Sequence, residues 1–94
     1  MRNYEVLFVL DPGLDEAQKS ALVETVKGII NADGEAGEAD VWGIRKLAYP
    51  INKKKEGFYV LLPFQAGVEL PKELDRRLRI SDNVMRHIIV CTEE

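Results

Sequence analysis

The chain has 94 residues, of which 46% are hydrophobic, and a formal net charge of −3. This length suffices for one two-layer core and is too short for a second, so we expect a single domain over residues 1–94. The hydrophobic content is too high for a disordered chain, and neither a membrane span nor a secretory signal peptide is recognisable. We therefore expect a cytoplasmic protein, and a single cysteine, Cys91, fits a reducing compartment.

The first two elements are predicted to be a strand and a helix. Apolar residues alternate with others over residues 4–10, which is typical of a strand, and a Pro-Gly turn follows. Asp15 and Gln18 then have the spacing of a capping box, which predicts the start of a helix. Apolar residues recur at helical intervals after it: Leu22, Val26, Ile29 and Ile30. Residues 31–34 are expected to end this helix.

The second half of the chain is predicted to hold three strands and a shorter helix. Strands are expected over about residues 38–51 and 57–65. Pro63 indicates an edge position or a bulge in the latter, because proline cannot donate to a sheet ladder. The helix, which Pro71 can open, is indicated by an apolar stripe: Leu70, Leu74 and Leu78. The last strand is expected over about residues 86–92.

This order of elements predicts an α+β ferredoxin-like split βαβ fold (βαββαβ), in which two helices cover one face of a four-stranded antiparallel sheet. The expected core residues of the sheet alternate along its two central strands: Tyr4, Val6, Phe8, Leu10, Phe58, Val60, Leu62 and Phe64. Their neighbours are then exposed on the uncovered face: Leu7, Val9, Tyr59 and Leu61. Such a patch favours a protein interface, the alternative being an ordinary sheet surface rich in apolar atoms.

Charge is unevenly distributed along the chain. Residues 11–40 hold eight acidic and two basic residues, a net charge of −6, whereas residues 41–92 hold ten basic and five acidic residues, a net charge of +5. The most basic segment, residues 43–55, reads Gly-Ile-Arg-Lys-Leu-Ala-Tyr-Pro-Ile-Asn-Lys-Lys-Lys. Adjacent strand residues point to opposite faces, so Arg45 and Lys46 are expected on opposite faces of the sheet. The segment favours a polyanionic partner, and a solvated hairpin tip is the alternative.

Three segments carry a resemblance to a known family. They are Gly43-x-Arg45-Lys46-Leu47-Ala48-Tyr49-x-Ile51, the start Met1–Glu5, and the segment Leu78–Val84. In one register, these segments are similar to the family of the sixth protein of the bacterial small ribosomal subunit. The resemblance covers almost the whole chain and implies a ferredoxin-like structural protein. It further implies binding to the central domain of small-subunit ribosomal RNA as a heterodimer with the eighteenth small-subunit protein.

Six residues are the expected contacts with ribosomal RNA: Arg2, Arg45, Lys46, Tyr49, Arg79 and Arg86. Arg2 and Arg86 belong to neighbouring antiparallel strands of the predicted fold and are expected to share an edge. The alternative for each is a solvated surface charge, or for Tyr49 a half-buried strand aromatic. Contact with RNA backbone and shape is favoured over base stacking, because the first strand lacks the aromatic residue that RNA-recognition domains place there.

The sequence indicates neither a catalytic nor a metal site. The only histidine, His87, lies four strand residues, about 13 Å, from Cys91, too far for a shared metal, and packing accounts better for both. Arg76 and Arg77 are expected on a helix surface, paired with Glu73 or Asp75. We expect no cofactor, no membrane partner and no small-molecule substrate.

Two other classes of protein share the predicted fold. Small phosphatases of the acylphosphatase type hold a phosphate with an arginine in the first loop, whereas residues 10–14 form an acidic loop without arginine. A homodimeric regulatory domain that binds a small molecule needs a pocket with convergent polar groups, which the sequence does not indicate. The regulatory domain is kept as the alternative to the ribosomal function.

Overall fold

The computed structural model describes residues 1–51 and 54–92, and the side chains of residues 48–51 and 54 lie outside that description. Its elements, in chain order, are β1 (Arg2–Leu10), α1 (Glu16–Asn31), β2 (Gly34–Ala36), β3 (Asp40–Ile51), β4 (Lys54–Ala66), α2 (Leu70–Arg79) and β5 (Val84–Cys91). The strand pairings among these residues are antiparallel. The predicted βαββαβ order is confirmed, with one short strand added.

Within the described part of the chain, the added strand makes a sheet of five strands instead of the predicted four. β1 lies between β4 and β5, while β2 and β3 lie end to end along the other side of β4. β2 pairs with residues 64–66, beyond the reach of β3. Its three residues, Gly-Glu-Ala, have no alternating apolar pattern, so their pairing could not be predicted from the local sequence.

Pro63 lies in an internal strand, so of the two predicted alternatives, an edge position or a bulge, the edge position was wrong. It faces Glu5 in the unbroken pairing of β4 with β1. On the other side of β4 it lies between the stretches that pair with β2 and β3, and its carbonyl accepts a hydrogen bond from the Gly37 N–H at 2.8 Å. The N–H and C=O of a strand residue point to the same side, so the missing donor falls where the ladder is already interrupted.

The hydrophobic core lies between the sheet and the two helices. The eight predicted sheet residues are buried, except that Phe58 is half-buried. The helices bury one stripe each against them: Val26 and Ile30 from α1, and Leu70, Leu74 and Leu78 from α2. Because both helices pack on this side, no helix among the described residues covers the opposite face of the sheet.

The helices begin as the sequence predicts. At the start of α1, the Asp15 carboxylate accepts a hydrogen bond from the Gln18 N–H at 2.8 Å, and Gln18 Oε1 accepts one from the Asp15 N–H at 3.1 Å. This capping box satisfies two donors that a helix N-terminus leaves unpaired. α2 carries Pro71 in its first turn, where proline removes no intrahelical hydrogen bond. Neither described helix is long and apolar enough to cross a membrane.

Candidate nucleic-acid and protein interface

The uncovered face of the sheet carries a continuous apolar row. Leu7 of β1 lies opposite Leu61 of β4 on one side and opposite Ile88 of β5 on the other. Leu7 and Leu61 are half-buried, whereas Ile88 is 53% exposed and its β5 neighbour Val90 is 44% exposed. The prediction included the first two residues and missed the last two, which the period of two along β5 and its pairing with β1 would have indicated.

Val9 lies on the uncovered face as predicted, but it is only 3% exposed, so its predicted exposure was wrong. The reason is its neighbour Gly57, which leaves room for it. A Cβ atom at Gly57 would overlap Val9 Cγ1. The half-buried Tyr59 lies directly opposite Val9. Val9 therefore belongs to the base of this surface, and Leu7, Tyr59 and Leu61 contribute its accessible part.

A bulge in β3 determines which of its side chains reach this face. Val41 lies opposite Val60, but Gly43 lies opposite Tyr59, so Trp42 is an extra residue in β3. Gly43 has a φ of 83°, in the left-handed region that glycine adopts without a steric penalty. The bulge therefore depends on a glycine at this position.

The bulge also places the basic pair of the signature segment. After it, Arg45 lies opposite Gly57 on the uncovered face, and Lys46 lies opposite Glu56 on the other side. A shift of one residue in a strand reverses the faces of every side chain that follows, so without the bulge the two basic residues would exchange faces. The prediction that they lie on opposite faces is confirmed.

Trp42, which no sequence pattern singled out, is the centre of an aromatic cluster that we define as Asp40, Trp42, Arg45 and Tyr59. The Trp42 and Tyr59 rings are stacked, with centroids 6.2 Å apart and planes 6° from parallel. The indole Nε1–H donates a hydrogen bond to Asp40 Oδ2 at 3.1 Å. The guanidinium carbon of Arg45 lies 5.5 Å from the centre of the Trp42 ring. The aromatic cluster thus places the Arg45 guanidinium beside an aromatic ring on the uncovered face.

The predicted RNA contacts are not gathered at one place. Arg86, opposite Val9, and Arg45 lie on the uncovered face towards the same end of the sheet. Arg2 lies opposite Ala66, at the other end of β1. It is seven residues, or roughly 23 Å, along the strand from Val9, which is the residue that faces Arg86. The prediction that Arg2 and Arg86 share an edge was wrong, because antiparallel register places the start of β1 beside the end of β5. The side chain of a further predicted contact, Tyr49, lies outside the described residues.

The arginines of α2 are paired with acidic residues of the same helix. Arg76 and Arg77 both bind Glu73, at 2.6 and 3.0 Å, which confirms their predicted pairing. Their hydrogen bonds, that of Arg76 first, lower the pKa of Glu73 from 4.5 to about 2. Arg79, a predicted RNA contact, pairs with Asp75 and is exposed. Its guanidinium is therefore already partly satisfied within the chain.

His87 has a partner that the sequence did not indicate. Its Nε2 lies 2.7 Å from Asp75 Oδ1, and its side chain is 13% exposed. The hydrogen bond from His87 is the main cause of a lowered pKa of Asp75, to which the charge of Arg79 adds. The contact links β5 to α2. Among the residues that the structure describes, no group of His, Cys, Asp and Glu side chains has the arrangement of a metal site.

Comparison with known proteins agrees with these features. A model of the family described as ribosomal protein S6 matches residues 3–91. The chain belongs to this family. It is 54% identical over 95 residues to small ribosomal subunit protein bS6 of Clostridium novyi (strain NT), covering 100% of both chains. It is 51% identical over 90 residues to the protein of the same name from Clostridioides difficile (strain 630), covering 96% of this chain and 98% of that one.

A solved structure of the S6 family has the same fold. The crystal structure of 30S ribosomal protein S6 from Thermotoga maritima superimposes with a TM-score of 0.89 at 32% sequence identity, covering 96% of this chain and 86% of that chain. The predicted family and the ferredoxin-like fold are thereby confirmed. As a member of the S6 family, the chain is a structural constituent of the small ribosomal subunit, in the bacterial cytoplasm, and not an enzyme. The regulatory domain kept as the alternative has no support among these relatives.

Proposed function

We propose that this S6-family chain binds the central domain of small-subunit ribosomal RNA as a heterodimer with the eighteenth small-subunit protein. In this proposal the uncovered sheet face receives the partner protein, and basic residues at one end of that face contact the RNA. The observation that carries the proposal is the continuous apolar row of Leu7, Leu61 and Ile88, which lies on the same face as Arg45.

The apolar row suits a protein partner better than RNA. Its side chains offer neither the charge nor the hydrogen-bond donors that phosphate groups require. Ile88 and Val90 are both exposed by more than two fifths. If a partner buried them, the complex would be stabilised by about 25 cal/mol per Å² of apolar surface removed from water. A pocket of about 230 Å³, lined among others by Leu7, Tyr59 and Arg86, can accommodate a side chain of the partner.

The basic end of the face suits RNA beside that partner. Arg45 and Arg86 lie towards this end, and Lys46 points to the other side of the same strand. Arginine pairs with phosphate through two parallel hydrogen bonds, so these positions suit backbone contact. Arg2 and Arg79 remain predicted contacts elsewhere on the molecule, and Tyr49 remains a predicted contact whose side chain lies outside the described residues. Of these, Arg79 offers less to RNA because Asp75 already pairs with it.

The test is a gel-shift titration of a central-domain ribosomal RNA fragment, with the chain alone and with the eighteenth protein, across a salt series. We expect the chain to bind the RNA only together with the partner. Arg45→Ala is expected to weaken this binding and to reduce the slope of log affinity against log salt concentration by the equivalent of about one phosphate contact. Lys72→Ala is the matched control, because Lys72 is an exposed base on α2, on the helical side of the sheet. It is expected to bind as the parent chain does.

Three results would contradict the proposal. If titration calorimetry detects no association of the two folded proteins, the heterodimer is wrong, and self-association of the chain becomes the next measurement. If the heterodimer forms but does not retard the RNA, the assigned RNA contacts are wrong. Equal weakening by Arg45→Ala and Lys72→Ala would show binding by overall charge and would remove the role of the uncovered face.

A further inference from the structure

We infer that Trp42 is a positioning residue for RNA binding, whose indole ring holds the Arg45 guanidinium ready for a phosphate group. The inference rests on the proposed function, because it takes Arg45 to be an RNA contact. It adds a residue and a physical role that the signature segment, which begins at Gly43, does not contain.

The indole ring of Trp42 is fixed from three directions. The bulge inserts Trp42 into β3 as an extra residue, directly before Gly43, which lies opposite Tyr59. The Tyr59 ring stacks on one face of the indole, and Asp40 accepts the hydrogen bond of its Nε1–H. Rotation of the indole would break both contacts, so the ring is a fixed support although it is 38% exposed.

The Arg45 side chain lies on this support. Its guanidinium carbon is 5.5 Å from the centre of the Trp42 ring, within the range of a cation–π interaction. An exposed arginine without such a contact samples many rotamers and loses that freedom when it binds a ligand. Order that exists before binding reduces this loss, and a guanidinium resting on an aromatic ring keeps N–H groups at its edge for two hydrogen bonds to a phosphate.

The size of the expected effect follows from the strength of an exposed cation–π contact. Such a contact corresponds to roughly a two- to five-fold change in affinity. Loss of Trp42 should therefore weaken RNA binding by this factor, and only when Arg45 is present to be held. A residue that supports the fold in general would weaken binding by the same factor whether or not Arg45 is present.

The test is a double-mutant cycle on the heterodimer with the eighteenth protein. Dissociation constants for the central-domain RNA fragment are measured for the parent chain, Trp42→Leu, Arg45→Ala and the double variant. We expect Trp42→Leu to weaken binding two- to five-fold in the parent and to add nothing to Arg45→Ala. Trp42→Phe retains an aromatic face and should retain most of the affinity. The affinity of each variant for the partner protein, measured separately, keeps the two interfaces distinct.

A second readout does not depend on RNA. Trp42 is the only tryptophan of the chain, so the fluorescence of the isolated protein reports on its surroundings. Arg45→Ala should change the emission of Trp42, because it removes the cation beside the ring, whereas Lys72→Ala should leave the emission unchanged. Identical emission spectra for the parent and Arg45→Ala would overturn the inference, as would equal effects of Trp42→Leu in both backgrounds of the cycle.

The outcomes separate this inference from the proposed function. If the parent heterodimer binds RNA and Arg45→Ala weakens it, the proposed function stands even when the Trp42 effect proves independent of Arg45. In that case only the positioning role is wrong. If the parent heterodimer does not bind the RNA, the proposed function fails and the positioning role fails with it.

Discussion

Gly57 shows how one missing side chain shapes the uncovered face. Val9 occupies the space beside it, and Leu47 and Tyr59 lie within van der Waals distance of the position that a Cβ would take. The pairing of β4 with β1 and β3 at this point therefore depends on glycine. A local sequence pattern reveals the glycine but not its neighbours, which come from three different strands.

We expect Gly57→Ala to lower the free energy of unfolding by about 1–3 kcal/mol, because the new methyl group must displace Val9 or separate the strands. Urea denaturation checks this prediction. Gly67→Ala is the matched control, since a Cβ there would meet no atom within 4 Å, and it should be close to neutral. Equal stability of Gly57→Ala and the parent chain would contradict the proposed close packing.

Gly28 is a glycine with the opposite expectation. It lies in the interior of α1, is exposed, and has open space where a Cβ would be. Glycine loses more backbone freedom than alanine when it enters a helix, so Gly28→Ala should raise the free energy of unfolding by about 0.5–1 kcal/mol. Urea denaturation also measures this expected rise in the free energy of unfolding. A loss of stability would mean that this glycine has a contact outside the described residues.

Among the elements, α2 carries ion pairs between its own residues, and one of its acidic residues also makes a polar contact with the sheet. Glu73 binds Arg76 and Arg77, while Asp75 binds Arg79 and reaches His87 on β5. The spacings of three and four residues within the helix were predictable, because they follow from helix geometry. The contact with His87 was not, because it depends on how the helix packs on the sheet.

The low pKa of Glu73 predicts a loss of stability in acid. The folded pKa of about 2 is below the ordinary value of 4.5, so between these values the unfolded chain binds more protons than the folded chain. The contribution of Glu73 is therefore complete above pH 4.5 and is lost as the pH falls towards 2. Glu73→Gln should make the unfolding midpoint depend less steeply on pH in this window, most clearly at low salt.

Urea unfolding between pH 2 and 6 measures this pH dependence. The matched control is Glu24→Gln, which removes an exposed carboxylate of α1 that has Lys27 at 3.8 Å. It should leave the slope closer to that of the parent. An unchanged slope for Glu73→Gln would show that the two arginines do not hold this carboxylate in the folded protein in solution.

In the molecule as a whole, the two faces of the sheet differ, because the helices pack on one face and leave the other uncovered. The helices bury one face of the two central strands, which consists of Tyr4, Val6, Phe8 and Leu10 of β1 and Val60, Leu62, Phe64 and Ala66 of β4. The other face carries the apolar row of Leu7, Leu61 and Ile88 and the aromatic cluster. The core stabilises the fold, and the proposed interface lies on the uncovered face. An exposed side chain on that face should therefore matter for association and little for folding.

Ile88→Asp should weaken association with the eighteenth protein at least tenfold, because it places a charge in the proposed apolar interface. Ile88 is 53% exposed, so little change in the unfolding transition is expected. Ile80→Asp is the matched control, since Ile80 is 68% exposed at the end of α2, on the helical side. Titration calorimetry compares the two. Equal weakening, or none from Ile88→Asp, would place the interface elsewhere.

The features that depend on residues close together in the chain were predictable from the amino-acid sequence. The alternation of β1, the capping box of Asp15 and Gln18, the leucine stripe of α2 and the signature segment from Gly43 were all recognisable. From them followed the fold class, the core residues of the sheet and the family, because the periods of helices and strands and the spacing of a motif are local properties.

Contacts between residues far apart in the chain became visible in the folded structure alone. The pairing of β2 with β4, the bulge that brings Trp42 and Arg45 to one face, and the separation of Arg2 from Arg86 all depend on strand register. The burial of Val9 depends on the strand beside it, and the contact of His87 with Asp75 on the packing of α2. Register and packing are set by the sum of many contacts between segments far apart in the chain, which no local pattern records.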